Sequence, residues 1–233
     1  MDLLFLSLPV ALAGVVLFGL HRLRAGAAGL TAIVLLCWCG LIFALARSGV
    51  LANFERLPPK IPLLALGAVG LGLALSRVAP VKGALRAMPA WWPVALQTFR
   101  APLEVGLWLL FAAGQVPEQM TFSGRNFDVL VGVTAPVMAW LIARDRVSRG
   151  VQWAWQLGSV ALLVNVVTIA ITSAPGPLHR DWPGAPLTLV AQWPYVLLPA
   201  FLVPMAVLGH LAAIAKLRTA LSPTLSPSGR GSA

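Results

Sequence analysis

Long apolar runs dominate the chain, and charged residues, proline or glycine bound each of them. A helix needs about 20 mostly apolar residues to cross the hydrocarbon core of a bilayer. The sequence therefore predicts an all-α protein, a polytopic transmembrane helix bundle that forms one domain over residues 1–220. Seven spans are predicted, at about residues 3–20, 27–46, 61–76, 93–115, 127–143, 151–173 and 187–215. The Ser-, Pro- and Gly-rich residues 221–233 are expected to be disordered.

The low charge content excludes an ordinary soluble domain. Of the 233 residues, 59% are hydrophobic and only 10% are charged, against about 45–50% and about 25% in soluble domains. The net charge is +10, which on a soluble protein would suggest nucleic-acid binding. Here the basic residues form short clusters between apolar runs, such as HRLR at 21–24 and RDRVSR at 144–149. This spacing favours contact with a lipid bilayer and its anionic head groups, and nucleic acid is not an expected partner.

Lysine and arginine in the connections predict the orientation of the bundle. With seven spans, one side of the membrane receives 11 of these residues and the other side receives 5. The richer side should be cytoplasmic, which places the N-terminus outside and the C-terminus inside a bacterial plasma (inner) membrane. The richer set is Arg22, Arg24, Arg77, Lys82, Arg86, Arg144, Arg146, Arg149, Lys216, Arg218 and Arg230, and the other set is Arg47, Arg56, Lys60, Arg125 and Arg180.

The fourth run carries polar residues in the stretch QTFRAPLEVGLWLLF at 97–111. Arg100 and Glu104 are four residues apart and are predicted to neutralise each other on one helix face. A charge at the bilayer centre costs at least about 2.5–3.5 kcal/mol, so this face should point into the bundle. Pro102 should disturb the local helix and free the carbonyl of Thr98. Residues spaced by three or four form the predicted stripe: Gln97, Arg100, Glu104, Trp108 and Phe111.

Two interpretations of this stripe stay open. It is either an internal ion pair that fixes helix packing or a site for a ligand, an ion or a proton. The sixth run places Asn165, Thr168 and Thr172 on one face, at a depth similar to that of Glu104. These side chains either join helices by hydrogen bonds or orient a ligand in the same cavity.

Two polar connections are expected on the outer side of the membrane. They form either a polar lid over the bundle or ordinary solvated loops. Asp128 or Asn126 is also suited to cap the fifth helix. The candidate residues of these loops are Glu118, Arg125, Asn126, Asp128, His179, Arg180 and Asp181.

The histidines and lysines exclude two familiar kinds of site. His21 and His210 are predicted near the inner face and His179 outside, which argues against one metal centre formed by all three. His210 is interpreted as a polar anchor at a helix end, with ligation of a haem or metal ion as the less favoured alternative. A retinal Schiff base needs a lysine deep in the last helix. Lys60, Lys82 and Lys216 instead fall in connections or at an end. No cofactor is assigned and no residue is predicted to be catalytic.

Small residues at 67–72 predict a closely packed face on the third helix. Pro194, Pro199 and Pro204 predict a kinked or partly unwound last span. The leading hypothesis is an integral membrane protein that binds or transports a small or lipid-like ligand at the polar site inside the bundle. The alternative is a structural subunit of a larger membrane assembly, with partner subunits on the third helix or at the aromatic edges of the spans. An intramembrane enzyme is less favoured, because no nucleophile or metal set accompanies Glu104.

Overall fold

The computed structural model describes residues 1–55 and 57–219, and the predicted tail at 221–233 lies outside this part of the chain. The described residues form α-helices with short 3-10 and π turns, and none of them forms a β-strand. The α-helices are α1 (Asp2–Leu23), α2 (Ala25–Arg47), α3 (Lys60–Arg77), α4 (Ala79–Ala87), α5 (Trp92–Ala95), α6 (Arg100–Ala112), α7 (Val129–Ala143), α8 (Arg149–Ser173) and α9 (Val203–Thr219).

The structure confirms the all-helical prediction, and over residues 1–55 and 57–219 it contains five helices that are long and apolar enough to cross a membrane. These are α1, α2, α3, α8 and the segment Leu198–Thr219, which contains α9. The other two predicted spans are shorter or broken. The fifth corresponds to α7, which has 15 residues. The fourth is divided into α5, a 3-10 turn at Leu96–Phe99 and α6.

The break in the fourth run follows from Pro102, as expected. Pro102 is the third residue of α6, a position at which its missing N–H needs no partner inside the helix. The carbonyl four residues earlier belongs to Thr98, which lies in the 3-10 turn. A 3-10 turn advances by three residues instead of 3.6, so the faces of α5 and α6 are out of phase.

The last span begins later than predicted. Leu198–Leu202 form a π-helical turn that leads directly into α9, whereas residues 187–197 form a connection with a short 3-10 turn at Leu189–Ala191. The predicted partial unwinding is therefore confirmed, but the predicted start at residue 187 is wrong. The cause is the apolar character of the connection, which is buried against the core at Leu187 and Val196.

Small residues pack α3 inside the chain. A Cβ atom added at Gly72 would overlap the Leu208 side chain of α9, and one added at Gly67 would lie 3.6 Å from the Trp38 ring of α2. Trp38 in turn donates a hydrogen bond from Nε1 to the carbonyl of Ala200, at 2.9 Å. The predicted small-residue interface thus joins α3 to helices of the same chain.

Helices α6 and α7 approach each other at backbone distance, which brings the polar residues of the two helices together. A Cβ atom at Gly132 of α7 would overlap the backbone nitrogen of Ala101 in α6. Only glycine permits this approach without a shift of one helix. Arg100, beside Ala101, can therefore reach the start of α7.

Candidate functional site

Arg100 is the centre of a buried polar cluster, and its ionic partner is Asp128. The guanidinium donates from Nε to Asp128 Oδ2 at 2.5 Å and from Nη2 to Asp128 Oδ1. This is the only salt bridge within the described residues, so the predicted Arg100–Glu104 pair is wrong. Arg100 is 1% exposed and Asp128 is 3% exposed. Asp128 also occupies the N-cap position of α7, but its side chain makes no capping hydrogen bond there.

His210 of α9 lies against the other side of the guanidinium. Arg100 Nη1 and His210 Nε2 are 3.0 Å apart, and arginine can only donate, so Nε2 accepts. The imidazole is therefore neutral, with its proton on Nδ1. Nε2 of Gln156 from α8 lies 2.5 Å from Nδ1, and because both atoms would donate, the amide satisfies this contact when it is turned so that its oxygen accepts the proton. One guanidinium thereby links α6, α7, α9 and, through histidine, α8.

Glu104 belongs to the same buried cluster, but it forms no salt bridge within the described residues. Both of its carboxylate oxygens accept from Asn126 Nδ2, each at 2.8 Å. The same amide nitrogen donates to the carbonyl of Met120 at 3.0 Å, and Asn126 Oδ1 accepts from the backbone nitrogen of Asp128 at 3.1 Å. Glu104 is 1% exposed. With two carboxylates and one guanidinium, the cluster can balance its charge by taking a proton or a cationic group at Glu104, and a neutral hydrogen-bond donor there would stabilise the carboxylate without changing the net charge.

Gln97 extends the cluster from the 3-10 turn toward α9. Its Nε2 donates to the carbonyl of Ala206 at 3.2 Å. Within the described residues no hydrogen-bond donor meets its buried Oε1. A Cβ atom at Gly209 would overlap the Gln97 amide, so glycine at this position is what allows the amide to lie against α9. The cluster therefore contains one buried oxygen, Gln97 Oε1, that can still accept a hydrogen bond.

The cluster forms the polar floor of a cavity of about 590 Å³ between α3, α6, α8 and α9. Most of the lining is aliphatic, including Leu163, Val166 and Leu202. The polar or charged lining residues are Asn53, Lys60, Arg100, Glu104, Asp128, Thr168 and His210. A largely apolar cavity of this size with a few convergent polar groups is typical of small-molecule sites.

The structure brings together only part of the predicted ligand site. Gln97, Arg100 and Glu104 lie in the buried cluster, and Phe111 is half-buried against the main hydrophobic core. Trp108 is 39% exposed and stacks on Phe122, with ring centroids 6.2 Å apart. Glu104 and Trp108 are four residues apart, and each such step rotates the position by about 40° around a helix. Trp108 therefore lies at the edge of the buried face.

The two predicted residues of α8 also have other contacts. Asn165 donates from Nδ2 to the carbonyl of Arg125 at 2.9 Å, which joins α8 to the connection before α7. Thr168 is exposed, and its hydroxyl donates a hydrogen bond to the carbonyl of Val164 in its own helix, at 2.8 Å. Thr168 borders the large cavity, but its hydroxyl is already bonded. Neither side chain hydrogen-bonds to the Arg100 cluster.

The outer polar residues separate into two groups. Asn126 and Asp128 are buried and belong to the cluster, whereas Glu118, Arg125, His179, Arg180 and Asp181 are exposed. The Arg125 guanidinium lies 5.2 Å from the centre of the Trp182 ring, so the two connections touch. A second contact joins the connection before α7 to the end of α8, where Gln119 Nε2 donates to the hydroxyl of Ser173 at 3.1 Å. The loops thus cover one end of the bundle, while only Asn126 and Asp128 reach the polar floor.

Sequence reasoning missed His210 and Gln156 as members of the cluster. The prediction that His210 anchors a helix end is wrong, because it is 3% exposed and hydrogen-bonded inside the bundle. The late start of the last helix at Leu198 moves His210 from near the end of the predicted span to its middle. Gln156 had only a weak signal in the sequence, since it is one of three side-chain amides in α8, together with Gln152 and Asn165. The described residues hold no group of three metal-ligating side chains.

A protein-family model, described as a domain of unknown function (DUF8737), matches residues 58–218, which is more than half of the chain. The chain belongs to this family. The DUF8737 region runs from just before α3 to the end of α9 and contains every member of the Arg100 cluster, whereas α1 and α2 lie before it. The comparisons with curated proteins and with solved structures give no match.

Proposed function

We propose that this DUF8737 protein is an integral membrane protein that binds or transports an amphiphilic, lipid-like ligand in the 590 Å³ cavity. The observation that carries the proposal is the 1% exposed Glu104, which has no salt bridge within the described residues, on the polar floor of a mostly aliphatic cavity. An apolar ligand body suits the walls, and an amine or hydroxyl at its polar end suits the carboxylate. Arg100 is already balanced by Asp128, so an anionic head group is disfavoured.

The spare hydrogen-bonding capacity of the cluster supports binding. Arg100 has five N–H donors, and its three bonds to Asp128 and His210 use three of them. Glu104 accepts from a single nitrogen, that of Asn126. A polar end group can therefore meet both a donor and an acceptor at the same place.

The last helix supports a role that includes movement. The π-helical turn at Leu198–Leu202 borders the large cavity. Non-helical or π-helical turns in membrane helices are common where a helix lines a cavity, and broken helices form the sites of many transporters. Transport through this cavity is accordingly part of the proposal.

We further propose the full topology of seven spans, with the N-terminus outside and the C-terminus in the cytoplasm of a bacterial cell. The two additional spans would be the broken segment at 92–112 and α7. The Tyr195 hydroxyl donates to Asp2 at 2.5 Å, which supports placing the start of α1 and the approach to the last span on the same side. The excess of Lys and Arg at the opposite ends supports the direction.

The alternative role as a structural subunit has less support. Its predicted contact surfaces were the small-residue face of α3 or the aromatic edges of the spans. Gly67 and Gly72 instead face Trp38 and Leu208 of the same chain.

The test compares wild-type protein with Glu104→Gln after gentle purification, using mass spectrometry of bound organic molecules. The matched control is Glu118→Gln, which removes the same charge from an exposed side chain. A hydrogen bond to a charged group is worth about 1.5–3 kcal/mol, so Glu104→Gln should retain about tenfold to a hundredfold less of an amine- or hydroxyl-bearing amphiphile. Equal amounts in all three proteins would refute the site. Stoichiometric protein partners without such a molecule would favour the subunit role.

A further inference from the structure

A second cavity, of about 420 Å³, lies between α1, α2, α3, α4 and α9. Its lining is almost entirely apolar, with Ala13, Leu35 and Phe201 on three of its sides. Neither Arg100 nor Glu104 borders it. It is therefore distinct from the cavity to which the proposed function is assigned.

The second cavity is long and runs parallel to α9. Its lining residues on that helix and the preceding turn extend from Ala200 to Lys216, which corresponds to about 24 Å at 1.5 Å per residue. Half of a bilayer's hydrocarbon core is about 15 Å thick. The cavity can therefore accommodate one acyl chain of a single leaflet lengthwise.

One end of this cavity is strongly basic. Lys216 borders the cavity and donates from Nζ to the carbonyl of Arg86, at 2.8 Å. The Arg24 guanidinium covers Gly83 of α4, with its Nε 2.8 Å from the position of an added Cβ. Residues 21–25, 76–88 and 214–219 contain no acidic residue. Their cationic residues are Arg22, Arg24, Arg77, Lys82, Arg86, Lys216 and Arg218.

Helix α4 shapes this end, although no apolar run in the sequence predicts a helix there. Val81 and Ala84 are buried, whereas Lys82 and Arg86 are exposed. A short helix with one apolar and one basic face is typical of the membrane interface. Val81 and Leu85 of this helix border the cavity, so Lys82 and Arg86 lie beside this end of it.

Thr31 supplies an independent sign of a polar ligand atom. This residue borders the cavity in the first half of α2 and is 6% exposed. Among the described residues its hydroxyl has no hydrogen-bond partner, not even a carbonyl of its own helix. An unpaired buried hydroxyl is costly, and an oxygen of a bound lipid would satisfy it.

We propose that the second cavity holds an acyl chain of an anionic phospholipid. The lipid phosphate lies against Lys82, Lys216 and Arg24, and an ester oxygen of the same lipid accepts from the Thr31 hydroxyl. Both contacts fit one molecule, because the hydroxyl lies along the cavity from the basic end. This lipid site needs no role for Glu104 and stands apart from the proposed function.

The first experiment measures binding of fluorescent phosphatidylglycerol and of fluorescent phosphatidylcholine to full-length protein in mild detergent. Each basic residue near a lipid surface contributes about fivefold in affinity for an anionic lipid. The variant Lys82→Gln/Lys216→Gln should therefore bind phosphatidylglycerol about 25-fold more weakly. The matched control is Arg144→Gln/Arg146→Gln, which removes two charges from residues that do not border the cavity. Equal affinity for the two lipids, or an unchanged affinity in the lysine variant, overturns the proposal.

The second experiment separates a lipid from a free anion and tests the hydroxyl. Inorganic phosphate should fail to displace the fluorescent phosphatidylglycerol, because it lacks the acyl chain, and full displacement overturns the proposal. Thr31→Val should lower the phosphatidylglycerol affinity about fivefold, the effect of one hydrogen bond. The same change should leave the melting temperature of delipidated protein equal or higher. Unchanged lipid affinity in this variant overturns the assignment of Thr31.

Discussion

The partner of Arg100 decides how the buried cluster responds to loss of a charge. Asp128→Asn removes the carboxylate that receives two hydrogen bonds from the guanidinium and leaves the size of the side chain unchanged. Glu104→Gln removes the other carboxylate of the cluster, whose oxygens are bonded only to Asn126. The two variants therefore remove the same charge, but only the first breaks the ion pair.

The expected effects differ in size and in sign. Removing one partner of a buried ion pair costs about 3–5 kcal/mol, because the remaining charge is left unpaired. Arg100 is 1% exposed, so Asp128→Asn should lower the free energy of unfolding by about this amount. Glu104→Gln relieves repulsion between two carboxylates and preserves an amide–amide hydrogen bond. Its effect should lie between zero and a stabilisation of about 1 kcal/mol.

The assay is reversible unfolding in mixed micelles with a rising fraction of denaturing detergent, followed by circular dichroism. A double-mutant cycle with Arg100→Gln isolates the pairwise terms. Coupling of about 1–3 kcal/mol is expected between Arg100 and Asp128, and a much smaller coupling between Arg100 and Glu104. If Glu104→Gln costs as much as Asp128→Asn, the pairing seen in the structure is refuted.

Two further predictions concern helix contact and the approach to the last span. Gly132→Ala should destabilise the protein by about 1–3 kcal/mol through overlap with the Ala101 backbone, whereas Gly70→Ala, which has open space, should be neutral or stabilising in the same unfolding assay. Burial, followed by the hydrogen bond and charge of Asp2, raises the pKa of Tyr195 from 10.0 to about 12. The neutral Tyr195 phenol therefore contributes its full share to the free energy of unfolding below pH 10. This contribution is lost as the pH rises toward 12. Tyr195 is the only tyrosine, so the near-ultraviolet absorbance of tyrosinate reports its titration, and Asp2→Asn should move the midpoint down.

The apolar runs predicted most of the helices because insertion into a bilayer depends on local hydropathy. The predicted runs at 3–20, 27–46 and 151–173 correspond to α1, α2 and α8 with ends shifted by a few residues. The same criterion misplaced the start of the last span, because residues 187–197 are apolar for another reason. They pack against the core as a connection, and hydropathy cannot distinguish burial in protein from burial in lipid.

The site was only partly predictable because its key contacts are distant along the chain. Spacing placed Gln97, Arg100 and Glu104 inside the bundle, since a charge among apolar residues must avoid lipid. The same spacing suggested Glu104, four residues away, as the ionic partner of Arg100. The actual partner, Asp128, is 28 residues away, and it is reached only because Gly132 lets α7 approach α6. No local pattern contains that information.

Chemical labelling of carboxyl groups tests most directly whether Glu104 is an uncompensated acid that faces a cavity open to amphiphiles. The measurement treats membranes with dicyclohexylcarbodiimide, which partitions into apolar sites and reacts with carboxylates that can take up a proton there, and maps the products by mass spectrometry. Strong labelling at Glu104 and little at Asp128 is expected, because Asp128 is paired with Arg100. Equal labelling of the two residues, or none at Glu104, would contradict the proposed site.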